Sequence, residues 1–246
     1  MPTHLHKTIS IQALDAGVHV LCEKPMALNV ADCDAMIDAS IKAGKHLMVA
    51  QCIRFWPVYD WAKQAVETAE FGKVLAADFL RLTYAPAWDA DSWLTDQTKS
   101  GGIALDLHIH DLDFIQYLFG TPANVQSVVS KLDNEVPGHV LTTVDYANGK
   151  TISATASWLM PESFGFKMAF NIVCEKAAIK FDSCAGPMLT VYPVEGEVVH
   201  PDISEGDGYK GEIEYFARLL AGTNTETMIT PEQTRESVRM ALETMK

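Results

Sequence analysis

From Thr8 to Ala16 the apolar positions Ile9, Ile11, Ala13 and Leu14 suit a short helix, and Gly17 follows where a left-handed C-cap residue belongs. Val18-His19-Val20-Leu21-Cys22 is a short apolar run, the pattern of a buried parallel strand. Asn29 is placed to cap a second helix, in which Ala31, Ala35, Met36, Ile37 and Ala39 recur at helical spacing until Gly44. His46-Leu47-Met48-Val49-Ala50 predicts a second buried strand. Helix, strand, helix, strand is the rhythm of a doubly wound α/β sheet.

After Pro57 a helix is predicted through about Ala69, ending at Phe71-Gly72. The character then changes. Val74–Tyr84, Val125–Leu132, Val140–Tyr146, Thr151–Trp158, Lys167–Cys174, Ala178–Phe181 and Met188–Val194 read as strands, parted by turns such as Asn148-Gly149 and Ala185-Gly186-Pro187. Most of them follow each other too closely for helical crossovers, so the sheet they form should be mostly antiparallel. Three further helices are predicted: Ile109–Leu118 early in this region, then Gly211–Leu220 and Pro231–Met245 at its end. The fold class is therefore α/β, with a partial doubly wound parallel domain over 1–55. An α+β domain over 56–246 follows, built on a large, mostly antiparallel open sheet.

Composition narrows the functional classes. The 246 residues are 48% hydrophobic and 21% charged, enough apolar chain for a substantial core. The net charge of −13 repels a phosphate backbone, so nucleic acid is not an expected partner. Five cysteines without CxxC spacing argue against a disulfide framework and a zinc ribbon, which fits a reducing, cytoplasmic setting. No apolar run approaches the length of a bilayer span, so no membrane partner is expected.

Two stretches carry candidate chemistry. In Cys22-Glu23-Lys24-Pro25, Lys24 follows the first strand, at the end where ligands bind in open α/β sheets; an ammonium there can polarise a carbonyl or stabilise a forming alkoxide. In Gly101-Gly102-Ile103-Ala104-Leu105-Asp106-Leu107-His108-Ile109-His110-Asp111-Leu112-Asp113 a helical turn starting by Asp106 would put Asp106, His110 and Asp113 on one face, with His108 pointing elsewhere. A carboxylate beside an imidazole is a general-base pair. The doublets His4/His6 and His108/His110 also raise a metal-dependent hydrolase as an alternative. Gly206-Asp207-Gly208-Tyr209-Lys210-Gly211 matches GxGxxG, but no buried strand leads into it and acidic neighbours would repel a pyrophosphate, so the match is read as coincidental.

The ordered series Pro2-Thr3-His4-Leu5-His6, Ala16–Pro25, Arg54-Phe55-Trp56-Pro57, Trp93 and Gly101–Asp113 resembles the glucose-fructose oxidoreductase and inositol dehydrogenase family, also called Gfo/Idh/MocA. The resemblance covers essentially the whole chain. It implies a Rossmann domain holding NAD or NADP, and a second domain whose open sheet shapes the substrate site and often an oligomer interface. It further implies hydride transfer between the nicotinamide and a sugar or polyol. Lys24, Asp106 and His110 would be the catalytic residues, His110 taking the hydroxyl proton. Thr3, His4, His6, Glu23 and Lys24 would line the cofactor cleft, and Arg54 and Trp93 would approach cofactor or substrate. A homo-oligomer, dimer or tetramer, is expected.

Two departures stand against that pattern. The opening strand and glycine-rich turn of the family are absent, so the chain reads as lacking the N-terminal half of the Rossmann domain and as truncated at both ends. Leu94 occupies a position where many members carry a basic residue. A second alternative follows: a truncated, non-catalytic fragment that folds and oligomerises through its sheet.

Overall fold

The structure is a computed structural model. It describes residues 1–85, 93–94, 96–131, 136–147, 149–224 and 227–246. Leu132 of a predicted strand and Asn148 of a predicted turn lie outside the described residues.

A 3-10 turn at Thr3–Leu5 leads into α1 (His6–Asp15), β1 (Val20–Glu23), α2 (Val30–Ala43) and β2 (Leu47–Ala50). β1 and β2 pair in parallel, Val20 opposite Leu47 through Glu23 opposite Ala50. β1 starts two residues later than the apolar run because the Val18 N–H donates back to the Ala13 carbonyl, closing α1 instead of entering the sheet. The Asn29 side chain caps α2 by accepting from the Asp32 N–H at 2.9 Å, and Gly44 ends that helix in the left-handed conformation.

A 3-10 segment at Cys52–Phe55 turns the chain into α3 (Pro57–Glu67), with Pro57 at its first position, where no intrahelical N–H is lost. Next come β3 (Val74–Leu82), the single helical turn α4 (Gln97–Ser100), a π-helical turn at Ala104–His108 and α5 (Ile109–Phe119). The strands β4 (Asn124–Lys131), β5 (Pro137–Asp145), β6 (Thr151–Ser157), β7 (Lys167–Cys174), β8 (Ala177–Asp182) and β9 (Leu189–Pro193) follow. α6 (Gly208–Leu220) and α7 (Pro231–Glu243) complete the described elements. The apolar pattern omits α4 and the π-helical turn.

The large sheet has the order β4-β5-β6-β3-β7-β8-β9. Its pairs are antiparallel except β3–β6, the neighbours joined through α5 and two intervening strands. One face is closed by α3 and α5. Phe79 and Phe170 reach from the strands to Tyr59 of α3 and Phe114 of α5, with Tyr59 and Phe114 edge to face at 4.8 Å. The opposite face leaves Val128, Leu141 and Val173 exposed.

Of the last two helices, α7 touches both sheets, through β2 and β4. α6 lies on Cys52–Phe55 and β2, and α7 lies on α2, β2 and α5. At this junction Arg54 and Asp113 form a bidentate pair at 2.8 Å for both bonds, their side chains 0% and 1% exposed. Among the described residues no helix is long and apolar enough to cross a membrane.

Candidate active site

A cavity of about 510 Å³ opens where the carboxyl ends of β1 and β2 meet the large sheet. Glu23 and Ala50 end the parallel strands, Lys24 follows β1, Arg81 comes from β3, and Asp106 and His110 come from the π-helical turn and the start of α5. Trp56, Phe166, Met168 and Tyr209 supply much of the apolar wall. Lys24 and the Asp106–His110 segment, far apart in the chain, thus share one cleft.

The Lys24 ammonium donates to the Asp106 carbonyl oxygen at 2.7 Å and to its carboxylate Oδ1 at 3.0 Å. An ammonium has three protons, so one donor remains for a bound oxygen. The Lys24–Pro25 peptide bond is cis. Below it, His6 Nδ1 donates to the Pro25 carbonyl oxygen at 2.8 Å, so buried His6 holds the loop that carries Lys24.

His110 faces the cavity with its Nδ1 enclosed and without a hydrogen-bond partner. Burial, then Lys24 and Arg81 nearby, hold the imidazole well below its ordinary pKa of 6.5, so the ring is neutral at neutral pH. Arg81 is fixed by Asp111, the residue after His110, through two hydrogen bonds at 3.0 and 2.9 Å. Close to the cleft, Glu212 is 4% exposed with Oε2 unpartnered, and burial, Glu23 and Asp207 push its carboxyl up to about 8.

Not all of the expected site residues are brought to this cavity. Asp113 does not share the cleft with His110, because the buried Arg54 guanidinium takes both its oxygens. Arg54 does not line this cavity, and its remaining donors go to the Met228 carbonyl and the Gln233 side chain. Asp106 is paired with Lys24, and among the described residues it makes no hydrogen bond to His110. Thr3 and His6 are buried beneath the cleft, His4 is exposed, and neither these three nor half-buried Trp93 line the cavity; Glu23 and Lys24 do. Leu94 is buried.

The paired histidines of the hydrolase alternative diverge. His108 turns away from His110 into the sheet, with Nε2 2.7 Å from the Thr142 hydroxyl, and burial pushes its pKa down to about 3. His6 is committed to Pro25 while His4 is exposed. Among the described residues no group of three or more His, Cys, Asp or Glu is placed to hold a metal.

Sequence reasoning missed Arg81, Trp56, Phe166 and Tyr209. Arg81 had a legible signal: it shares the period-two face of β3 with Ala77 and Phe79, and a charged residue on an inward strand face needs a buried partner. The aromatic residues come from three separate segments, and no spacing rule joins them.

Comparison with known proteins decides the ancestry. Residues 1–51 match an oxidoreductase family described as an NAD-binding Rossmann fold, and residues 59–180 match the GFO/IDH/MocA C-terminal domain, in that order. The chain belongs to the Gfo/Idh/MocA oxidoreductase family. Among its Gfo/Idh/MocA relatives, D-xylose 1-dehydrogenase (NADP(+)) 2 of Haloferax volcanii is 29% identical over 96% of this chain and 71% of its own length. The 2,7-anhydro-N-acetylneuraminate hydratase of Escherichia coli is 29% identical over 84% of this chain and 57% of its own length. In fold, levoglucosan dehydrogenase in complex with NADH and levoglucosan superposes with a TM-score of 0.83 at 25% identity, over 100% of this chain and 75% of that one.

The cleft's residues suit the nicotinamide cofactor of the Gfo/Idh/MocA family. Ala50 and Ile53 offer an apolar surface beside Lys24, at the strand ends where such a ring binds in open α/β sheets.

Proposed function

We propose that the chain is an NAD(P)-dependent oxidoreductase acting on a sugar or polyol hydroxyl or carbonyl, with its reacting centre between Lys24 and His110. The observation that carries this reading is the joining of Lys24, Asp106 and a neutral His110 in one cavity at the carboxyl ends of β1 and β2.

When bound, NAD(P) supplies the hydride acceptor or donor. The chain's own groups handle the proton and the charge. His110, which lines the cavity, takes the hydroxyl proton as the alcohol is oxidised. A neutral imidazole is the form that can do so. The free donor of Lys24 holds the substrate oxygen and stabilises its developing negative charge. Asp106 keeps the ammonium in place through its carbonyl and carboxylate oxygens. Arg81 and Asp111 fix the wall beside His110, and in the reverse direction His110 returns the proton.

The open face of the large sheet, with Val128, Leu141 and Val173 exposed, supports a homo-oligomer that buries this surface. Calorimetric titration of the chain with NADH and NADPH tests the cofactor reading. Micromolar binding of either supports it, and no binding by folded protein favours the alternative of a non-catalytic fragment.

A further inference from the structure

We propose that Tyr209, backed by Trp56, selects an uncharged sugar or cyclic polyol in the cleft and discriminates against phosphorylated or carboxylate-bearing sugars. This inference rests on the oxidoreductase reading above and narrows its substrate class.

The stretch Gly206–Gly211 is the starting point. It is not a phosphate cradle: Asp207 caps α6 by accepting from the Tyr209 N–H at 2.8 Å, and no strand feeds the turn. Its glycines serve close packing instead. A Cβ on Gly206 would stand 2.6 Å from Pro57 Cγ, one on Gly208 2.5 Å from the Trp56 ring and 2.6 Å from the Cys52 carbonyl oxygen, and one on Gly211 2.9 Å from Phe55 Cβ. The start of α6 therefore lies directly on the segment 52–57. That contact delivers Tyr209 to the cavity containing Lys24 and His110.

Tyr209 packs edge to face on Trp56, with ring centroids 6.2 Å apart, yet remains 57% exposed. Across the cavity lining, Phe166 is 49% exposed. Two large rings left open to solvent in a cleft with a few convergent polar groups form a binding wall. Against such rings the C–H face of a sugar can stack while its hydroxyls turn toward Lys24 and His110.

The cleft's charges oppose an anionic substituent. Lys24 is matched by Asp106 and Arg81 by Asp111, while Glu23 lines the cavity without a cationic partner among the described residues. The neighbouring Cys52 thiol, burial and Glu23 raise the Tyr209 pKa, so its phenol stays neutral beside them. A phosphate or carboxylate on the bound sugar would meet Glu23 without a cationic partner, and a guanidinium, Arg81, already held by Asp111.

The test is binding of D-glucose, D-xylose and myo-inositol against D-glucose 6-phosphate and D-glucuronate, measured by calorimetry and saturation-transfer NMR on the full chain with NADH present. At least one neutral compound should bind, with the anionic ones at least tenfold weaker. Tyr209→Ala should weaken the neutral compound at least tenfold, and by more than it weakens NADH, and Tyr209→Phe should stay within about threefold of wild type, since the ring is what matters. Tyr209 is exposed enough for both variants to fold, which thermal melting checks. Tighter binding of the anionic sugars, or sugar binding indifferent to Tyr209→Ala, overturns this inference and leaves the oxidoreductase reading standing. Failure of the wild-type chain to bind NADH or any of these compounds overturns both.

Discussion

The Lys24 ammonium and the Asp106 carboxylate, 82 residues apart in the chain, meet at 3.0 Å beside the His110 ring. This contact joins the parallel sheet to the π-helical turn of the second region, and places a cation and a neutral imidazole around one small volume. Replacing Lys24 by Met should lower turnover about a hundredfold, the scale of losing one donor aimed at developing charge. Stability should change by less than about 1 kcal/mol, because the pair is partly open to solvent. Steady-state rates and a thermal melt separate the two effects, and a variant with wild-type turnover would remove Lys24 from the mechanism.

His110 is held neutral by burial and by Lys24 and Arg81. The rate of alcohol oxidation should therefore persist as pH falls through 6.5, where an ordinary imidazole would already be protonated and unable to act as base. In Arg81→Met one of the two cations is gone, so the acid limb of the pH–rate profile should move upward. An unshifted limb would show that Arg81 does not set the charge state of His110.

His108 makes the opposite demand on stability. Its folded pKa, about 3, lies below the unfolded value of 6.5. Between these values the unfolded chain binds the proton and the folded chain does not, so acid favours unfolding. Stability should fall by about 1.4 kcal/mol per pH unit below 6.5 from this group alone. Denaturant melts of His108→Gln across that range should show a shallower loss than wild type.

Glu212 titrates in the other sense. Its folded pKa, about 8, exceeds the ordinary 4.5, so its neutral form is retained on folding. The stability it contributes is whole below 4.5 and drains away as pH rises toward 8. Glu212→Gln should be more stable than wild type at pH 8 and show little advantage at pH 5, as read by urea midpoints.

Arg54 and Asp113 form the buried tie between the two regions. Asp113→Asn would leave a guanidinium buried without its counter-charge, at a cost of about 3–5 kcal/mol. Chemical denaturation should register that loss, and a change below about 1 kcal/mol would argue that the pair is not structural.

The sequence made much of this architecture legible where local chemistry decides it. Asn29 and Gly44 bracket α2 as their side chain and backbone freedom require, and the run Lys167–Cys174 coincides with β7. Lys24 and His110 were also visible, one by its place after a buried run and the other in a His-Asp-rich helix start. The fate of the acidic residues was not. Helical spacing alone put Asp113 beside His110, but Arg54, 59 residues away in sequence, captures it. Spacing likewise could not foresee that a π-helical turn would open at Ala104–His108, with Asp106 turned to Lys24 and Asp111 to Arg81. The GxGxxG match shows the same limit: glycines that read as room for phosphate are room for Pro57, Trp56 and Phe55.

The most direct test of the account is formation of reduced nicotinamide by this chain, given NAD+ or NADP+ and a panel of neutral sugars and polyols, in wild type and His110→Ala. The account predicts sugar-dependent formation with at least one cofactor, reduced about a hundredfold or more in the variant. No formation by folded wild-type protein, or equal formation by wild type and His110→Ala, would contradict it.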